Sequence, residues 1–272
     1  LLAILNEAAN DSKAAKGSNV QKIGDFHYTA MDSVKLNAEG ISPLKPWLAA
    51  IDSLNKPEDL TILAARMHRT RGNVLWGSYV MADVKNSALN VMYIGQSGTS
   101  LPDADYYLKT DPESKQLQKQ YINQISKMLQ FLGDKPEVAD KEALAVMRIE
   151  SQLAKVSMNA VKQRDIEAQY NKRTIEELSK EAPNVNWKAY FNALGVKEIQ
   201  GLIVSQPLFM QEVSKMYKSV SMADWKTYFR WHLIDGASPF LSDEIVLQNF
   251  EFFEQILNGS KELKPKIGRA HV

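Results

Sequence analysis

Apolar residues recur at helical spacing along almost the whole chain, set between residues that start and stop helices. This punctuation narrows the fold more than any other feature. Asp111-Pro112 opens a long amphipathic segment, with Leu117, Tyr121, Ile125, Met128 and Leu132 on one stripe and Gly133 behind it. A second long helix is expected from about Pro136 to Ser157. Thr174 with Glu177 has the spacing of a capping box, as does Ser18 with Gln21. Pro57 stands at a first helical position, Leu60, Leu63, Ala64 and Met67 follow on one face, and Gly72 is a stop. The helix from Asn186 carries Trp187, Tyr190, Phe191 and Leu194 and ends at Gly195. Pro207, Ser221 and Ser242 begin three more, the last ending near Gly259. Leu1 to Lys16 reads as the remainder of a helix, and Val20, Ile23, His27, Ala30 and Val34 as the stripe of the next.

One stretch differs. Val74, Trp76 and Val80, then Leu89, Val91, Tyr93 and Ile94, have the content of a β-hairpin with Lys85-Asn86-Ser87 at its turn, and Ile199 to Val204 reads as a short strand. The expected fold is mainly α, a multi-helix lobe with a small β-hairpin element. No linker or fixed repeat interrupts it, so one compact domain is the simplest parse.

At 272 residues and 44% hydrophobic, the chain is long enough to bury a sizeable core. A net charge of +1 gives no field for a nucleic acid, so no nucleic-acid partner is expected. Without cysteine there are no disulfides, thiolate zinc sites or cysteine nucleophile. No apolar run approaches the length of a membrane span. Leu1 in place of a starting methionine implies a chain that begins inside a longer reading frame. The final Ile267-Gly268-Arg269-Ala270-His271-Val272 matches a translated sequencing adapter, and these residues are expected to be non-native.

Motifs that carry chemistry are missing from the sequence. It has no Gly-x-Gly-x-x-Gly run and no phosphate loop. Gly77-Ser78 lacks the second glycine of a nucleophile elbow. Zinc catalysis on a helix needs two imidazoles one turn apart with a carboxylate between them. His27, His68 and His232 are far apart in sequence, and His68 lies among Arg66, Arg69 and Arg71. Each reads as a packed or surface imidazole. Glu150, Asp165, Glu176 and Glu177 read as carboxylates on solvated helix faces. No catalytic, cofactor-binding or metal-binding residue is assigned to the chain.

Gly98-Thr99-Ser100-Leu101-Pro102-Asp103-Ala104-Asp105-Tyr106-Tyr107-Leu108 resembles the Gly-Leu-Gly-Leu-Pro-x-Arg-Asp-Tyr-Tyr segment of the neprilysin family of zinc endopeptidases. Asp83 to Ser87 and Ile94-Gly95-Gln96 fit the strand–turn–strand before that segment. Tyr170-Asn171-Lys172-Arg173-Thr174 resembles the family's Tyr-Asn-Lys-x-Thr, and Trp187 to Phe191 its Trp-rich helix. The order continues through Pro207, Trp225, Trp231 and Phe250 to Gly259, and the likeness covers Leu1 to Lys266. Thr99, Ser100 and Ala104 depart from the pattern. Structurally, Asp103 or Asp105 is suited to cap the following helix, and Tyr106 and Tyr107 to bury a ring with a polar tip.

The resemblance implies an extracytoplasmic endopeptidase that cuts oligopeptides in a cavity between two helical lobes. It also implies a zinc held by a His-Glu-x-x-His helix and a later glutamate, all downstream of Lys266. Residues 1–266 would be the lobe that roofs the cavity, inactive alone, with the missing carboxyl-terminal catalytic part as its partner. The lack of cysteine fits bacterial members better than animal ones. The alternative is a non-enzymatic helical module that binds a partner through Trp225, Tyr228, Phe229 and Trp231.

Overall fold

The computed structural model describes residues 1–70, 72–196 and 198–263. The adapter-like tail, Ile267 to Val272, and the end of the family likeness at residues 264–266 lie outside the described residues. The chain divides into two compact units, Leu1–Lys45 with Ala237–Val272, and Pro46–Gly236, where the sequence carries no linker to mark a division.

The first unit is helical. α1 (Leu2–Asn10) stops well short of Lys16, because Asn10-Asp11-Ser12 favours a turn and Asp11 Oδ1 accepts the Lys13 N–H. α2 (Asn19–Met31) begins with the Ser18 hydroxyl accepting the Gln21 N–H. The reciprocal bond differs from a full capping box, since the Gln21 side chain accepts from Gly17 N and not from Ser18. α1 and α2 pack closely at Gly24, where a Cβ would collide with the Ala8 carbonyl. Asp32 accepts from Lys35 N and starts α3 (Ser33–Glu39), so the stripe expected from Val20 to Val34 is split between two helices. Only His27 of that stripe is buried, while Val20, Ile23 and Val34 are exposed. Asn37 and Asp243 exchange hydrogen bonds, fixing α3 to the start of a helix at Asp243–Phe250 that runs on as a π-helical stretch, Glu251–Leu257.

In the second unit α4 (Lys45–Asp52) and α5 (Pro57–His68) lead to a sheet. β1 (Trp76–Asp83) and β2 (Asn86–Gln96) form the antiparallel hairpin. Its turn falls at Val84-Lys85, earlier than expected, because the Asp83 carboxylate accepts the Lys85 N–H and Asn86 already pairs with Asp83. After α6 (Asp105–Leu108) come the two long helices, α7 (Pro112–Phe131) and α8 (Pro136–Val156). α9 (Ile166–Gln169) precedes β3 (Lys172–Arg173), α10 (Ile175–Glu181), α11 (Trp187–Leu194) and β4 (Leu202–Val204). The hairpin thus belongs to a four-stranded sheet of order β1-β2-β4-β3, with β4 parallel to β2 and antiparallel to β3. α12 (Pro207–Ser219) and α13 (Met222–Ala237) complete the unit, followed by α14 (Asp243–Phe250), the helix already met in the first unit.

Trp76, Trp187, Trp225 and Trp231 are all buried in the second unit. Rings of this size each remove a large apolar area from water, and edge-on neighbours such as Trp76 and Tyr190, 5.0 Å apart, add to the burial. The fold is mainly α with a small sheet, as the residues lead one to expect.

Candidate functional site

The histidines are dispersed. His27 Nε2 lies 3.1 Å from Asn6 Oδ1 in the first unit. His68 sits with Nε2 2.8 Å from the Val74 carbonyl and Nδ1 2.7 Å from the Tyr190 hydroxyl, and burial lowers its pKa, so the imidazole is neutral. His232 is buried on α13 with Nε2 3.0 Å from Glu150 Oε1, close enough to pair but without hydrogen-bond alignment. Among the described residues no group of three or more His, Asp or Glu side chains is placed to hold a metal ion.

Glu150 corrects the sequence reading most sharply. It is fully buried rather than solvated, at 0% exposure. Oε2 accepts from the Tyr107 hydroxyl at 2.8 Å and the Tyr121 hydroxyl at 2.6 Å, and Oε1 from Trp231 Nε1 at 3.2 Å. Every partner is a donor, which is the environment a buried carboxylate requires. These donors come from α6, α7 and α13, so one side chain on α8 joins four elements. The motif Gly98–Leu108 enters the same network. The Tyr107 hydroxyl also accepts the Leu101 N–H at 2.7 Å, and Ser100 Oγ bonds Asp235 Oδ2 at 2.9 Å and accepts from Trp231 Nε1. Ser100, a departure from the family pattern, is thus a working member. Asp103 Oδ1 accepts the Asp105 N–H, and Tyr106 is only half-buried while Tyr107 is inside. A signal for Glu150 existed in the sequence: with Ala143, Val146 and Leu153 it falls on one helical stripe, and all four are buried.

Burial, and then the Glu150 charge, push the Tyr107 and Tyr121 hydroxyls well above the ordinary tyrosine value. Tyr228 is raised well above it and Tyr190 to about 12, both chiefly by burial. With folded values above the unfolded value of about 10, the neutral rings' contribution is fully present below about pH 10. It is lost as pH rises towards the folded values, because the unfolded chain gives up its phenolic protons first. An ultraviolet titration should therefore show part of the tyrosine change withheld until circular dichroism reports unfolding. Complete ionisation of all 10 tyrosines at unchanged helicity would contradict this.

The second motif closes the sheet. The Tyr170 hydroxyl donates to Asp83 Oδ2 at 3.1 Å, the Asn171 carbonyl accepts from Val204 N, and Thr174 with Glu177 forms the full capping box of α10. Asp83 is held below the ordinary carboxyl range, first by the Lys85 N–H. A cleft of about 130 Å³ lies beside it, lined by Tyr79, Met81, Tyr93 and Tyr170 among others. Both motifs therefore act as fasteners.

The sequence profile of peptidase family M13 matches residues 1–271. The chain belongs to peptidase family M13. This agrees with the neprilysin-like resemblance of its two fastening motifs. Endothelin-converting enzyme 1 of Rattus norvegicus is 28% identical over 271 residues, covering 93% of this chain and 34% of the relative. The Homo sapiens enzyme is 26% identical over 271 residues, covering 96% and 35%. The zinc metalloprotease Zmp1 of Mycobacterium tuberculosis, solved with an inhibitor, superposes with a TM-score of 0.93 at 29% identity, over 99% of this chain and 41% of that one. PepO from Lactobacillus rhamnosis shares the fold, with a TM-score of 0.79 at 17% identity. The chain thus spans about a third of the length of the endothelin-converting enzymes. The side chains described here do not fit a zinc ion. Both His68 nitrogens are engaged, His232 faces a core carboxylate, and His27 is held by Asn6 in the other unit.

Proposed function

We propose that residues 1–266 are the helical lobe of a zinc-dependent endopeptidase, enclosing the cavity in which oligopeptides are cut, with the zinc ligands supplied by chain beyond this one. The observation that carries this reading is the family match over residues 1–271, in a chain that spans about a third of the length of the endothelin-converting enzymes it matches. The lobe's contribution is exclusion, limiting substrate size and keeping the site enclosed against large proteins. Its partners are oligopeptide substrates, through the whole enzyme, and the catalytic part itself. The parent enzyme is proposed to act outside the cytoplasm, in a bacterium. None of the described helices is long and apolar enough to cross a membrane. The aromatic residues of the alternative binding module, Trp225, Tyr228, Phe229 and Trp231, are fully buried and present no face to a partner.

Exposed apolar side chains in the first unit support a lobe that packs against further chain: Ile4, Phe26, Tyr28 and Val34 are each more than half exposed. The purified chain is expected to bind a hydrophobic dye, to hold no stoichiometric zinc after dialysis, and to leave a quenched fluorogenic peptide uncut. Zinc-dependent turnover by the pure chain, abolished by chelator, would overturn the proposal.

A further inference from the structure

Arg230, in the third turn of α13, faces two carboxylates at once. Its Nη2 lies 2.8 Å from Asp134 Oδ2 and 2.9 Å from Oδ1, and its Nη1 lies 3.3 Å from Glu142 Oε2. Asp134 belongs to the turn between α7 and α8, which Gly133 makes with a φ of +101°. Glu142 stands on α8. The three side chains are only 15%, 17% and 25% exposed. One guanidinium cannot neutralise two ionised carboxylates, so the cluster carries an unmatched negative charge in a place that solvates it poorly.

We propose that Asp134, Glu142 and Arg230 form a proton-operated latch that ties the α7–α8 turn to α13 more tightly as pH falls. Once Glu142 is protonated its hydroxyl donates to Asp134, and Arg230 is left with a single charged partner. The groups that face Glu142 are Asp134 from the turn and, from α13, Arg230 and the Thr227 hydroxyl, which bonds it. The other ion pair between α8 and α13, Arg148 with Asp224 at 3.5 Å, is largely solvated and stands apart from the latch.

Burial first, and the Asp134 charge second, raise the Glu142 pKa above its ordinary 4.5, against the opposing pull of Arg230. The sign follows from linkage. A carboxyl whose folded pKa is raised binds a proton that the unfolded chain lacks, so stability increases as pH falls through the folded value and the gain is complete below the unfolded value. Asp83, Asp111 and Glu177 have the opposite sign, because backbone N–H donors lower them. Their contribution is lost only as pH falls through the ordinary carboxyl range and below it. His68, whose pKa burial lowers, pulls the other way below the ordinary imidazole value, so the latch is read between neutral pH and about 4.5 as the difference between the unmodified chain and a chain lacking the Glu142 carboxyl.

Thermal unfolding of the full chain between pH 7.5 and 5 tests this. The comparison with Glu142→Gln isolates the latch, because every other titrating group, His68 included, is common to both chains. Glu142→Gln, whose amide donates to Asp134 at every pH, should melt about 2 to 4 °C above the unmodified chain at pH 7.5, and the gap should close as pH falls to 5. A variant that keeps the wild-type slope, or melts lower at pH 7.5, overturns the latch. Should the variant not fold, carboxyl-carbon nuclear magnetic resonance of the unmodified chain decides. A Glu carboxyl carbon with a midpoint above the ordinary range supports the proposal, and the lack of one overturns it.

Discussion

Replacing Glu150 by Ala is expected to destabilise the chain by about 3 to 5 kcal/mol, a large part of the total stability of an ordinary domain. The reasoning starts from what the substitution leaves behind. Tyr107, Tyr121 and Trp231 each lose an acceptor at 2.6 to 3.2 Å, in a place that water does not reach. A buried donor that loses its acceptor costs about 1 to 3 kcal/mol, and less at Trp231, whose Nε1 keeps Ser100 Oγ at 3.1 Å. His232, 3.0 Å away, loses the charge it faces. The truncated side chain also leaves a void, which neighbours drawn from four helices close only in part. Glu150→Gln keeps the volume and one carbonyl acceptor, so its loss should be smaller than that of the alanine variant. The check is urea unfolding of the three proteins: midpoints in the order wild type, Gln, Ala, at unchanged slope. An alanine variant with the wild-type midpoint would mean that the network holds nothing together.

The same residue shows where sequence reading fails. Thr174 with Glu177, Asp111-Pro112, and Asn186 with Gly195 were legible because a cap is a conversation between residues three or four apart. Glu150 finds its partners 43, 29 and 81 positions away, and local chemistry says nothing about such distances. Its place on the Ala143–Val146–Leu153 stripe was readable, but a glutamate there is ambiguous until its donors are known. β3 was hidden for a different reason. Two residues, Lys172 and Arg173, carry no alternation, and they become a strand only because β4 lies alongside. On α2 the periodicity was read correctly as far as Ala30, but Val34 belongs to α3 and the burial was misread. Periodicity names the apolar side of a helix without naming what covers it, and Val20 and Ile23 stay exposed.

The family likeness was legible because two fastening segments keep their order, and Gly98 shows why such a segment resists change. Gly98→Ala should cost about 4 kcal/mol or more, among the largest losses a single methyl group causes. Gly98 has a φ of +78°, a conformation that burdens an L-residue by about 1 to 2 kcal/mol before any contact is counted. A Cβ there would stand 2.5 Å from Leu75 N and 2.5 Å from the Tyr228 hydroxyl, nearer than atoms can approach. Neither wall is free to retreat. Tyr228 accepts the Leu75 N–H and donates to the Gly98 carbonyl, both at 2.8 Å. Leu75 is itself buried with a φ of +56°, at the centre of a tight turn in which Trp76 N bonds the Val74 carbonyl. Gly195 provides the control, since its φ of +87° is similar but nothing lies within 4 Å of its missing Cβ. Gly195→Ala should therefore lose only the backbone part, about 1 to 2 kcal/mol. Denaturation midpoints of the two variants separate strain from collision. Equal losses would show that the Tyr228 clamp yields, and a much larger loss at Gly98 would show that it holds the Gly98–Leu108 segment against the start of the hairpin.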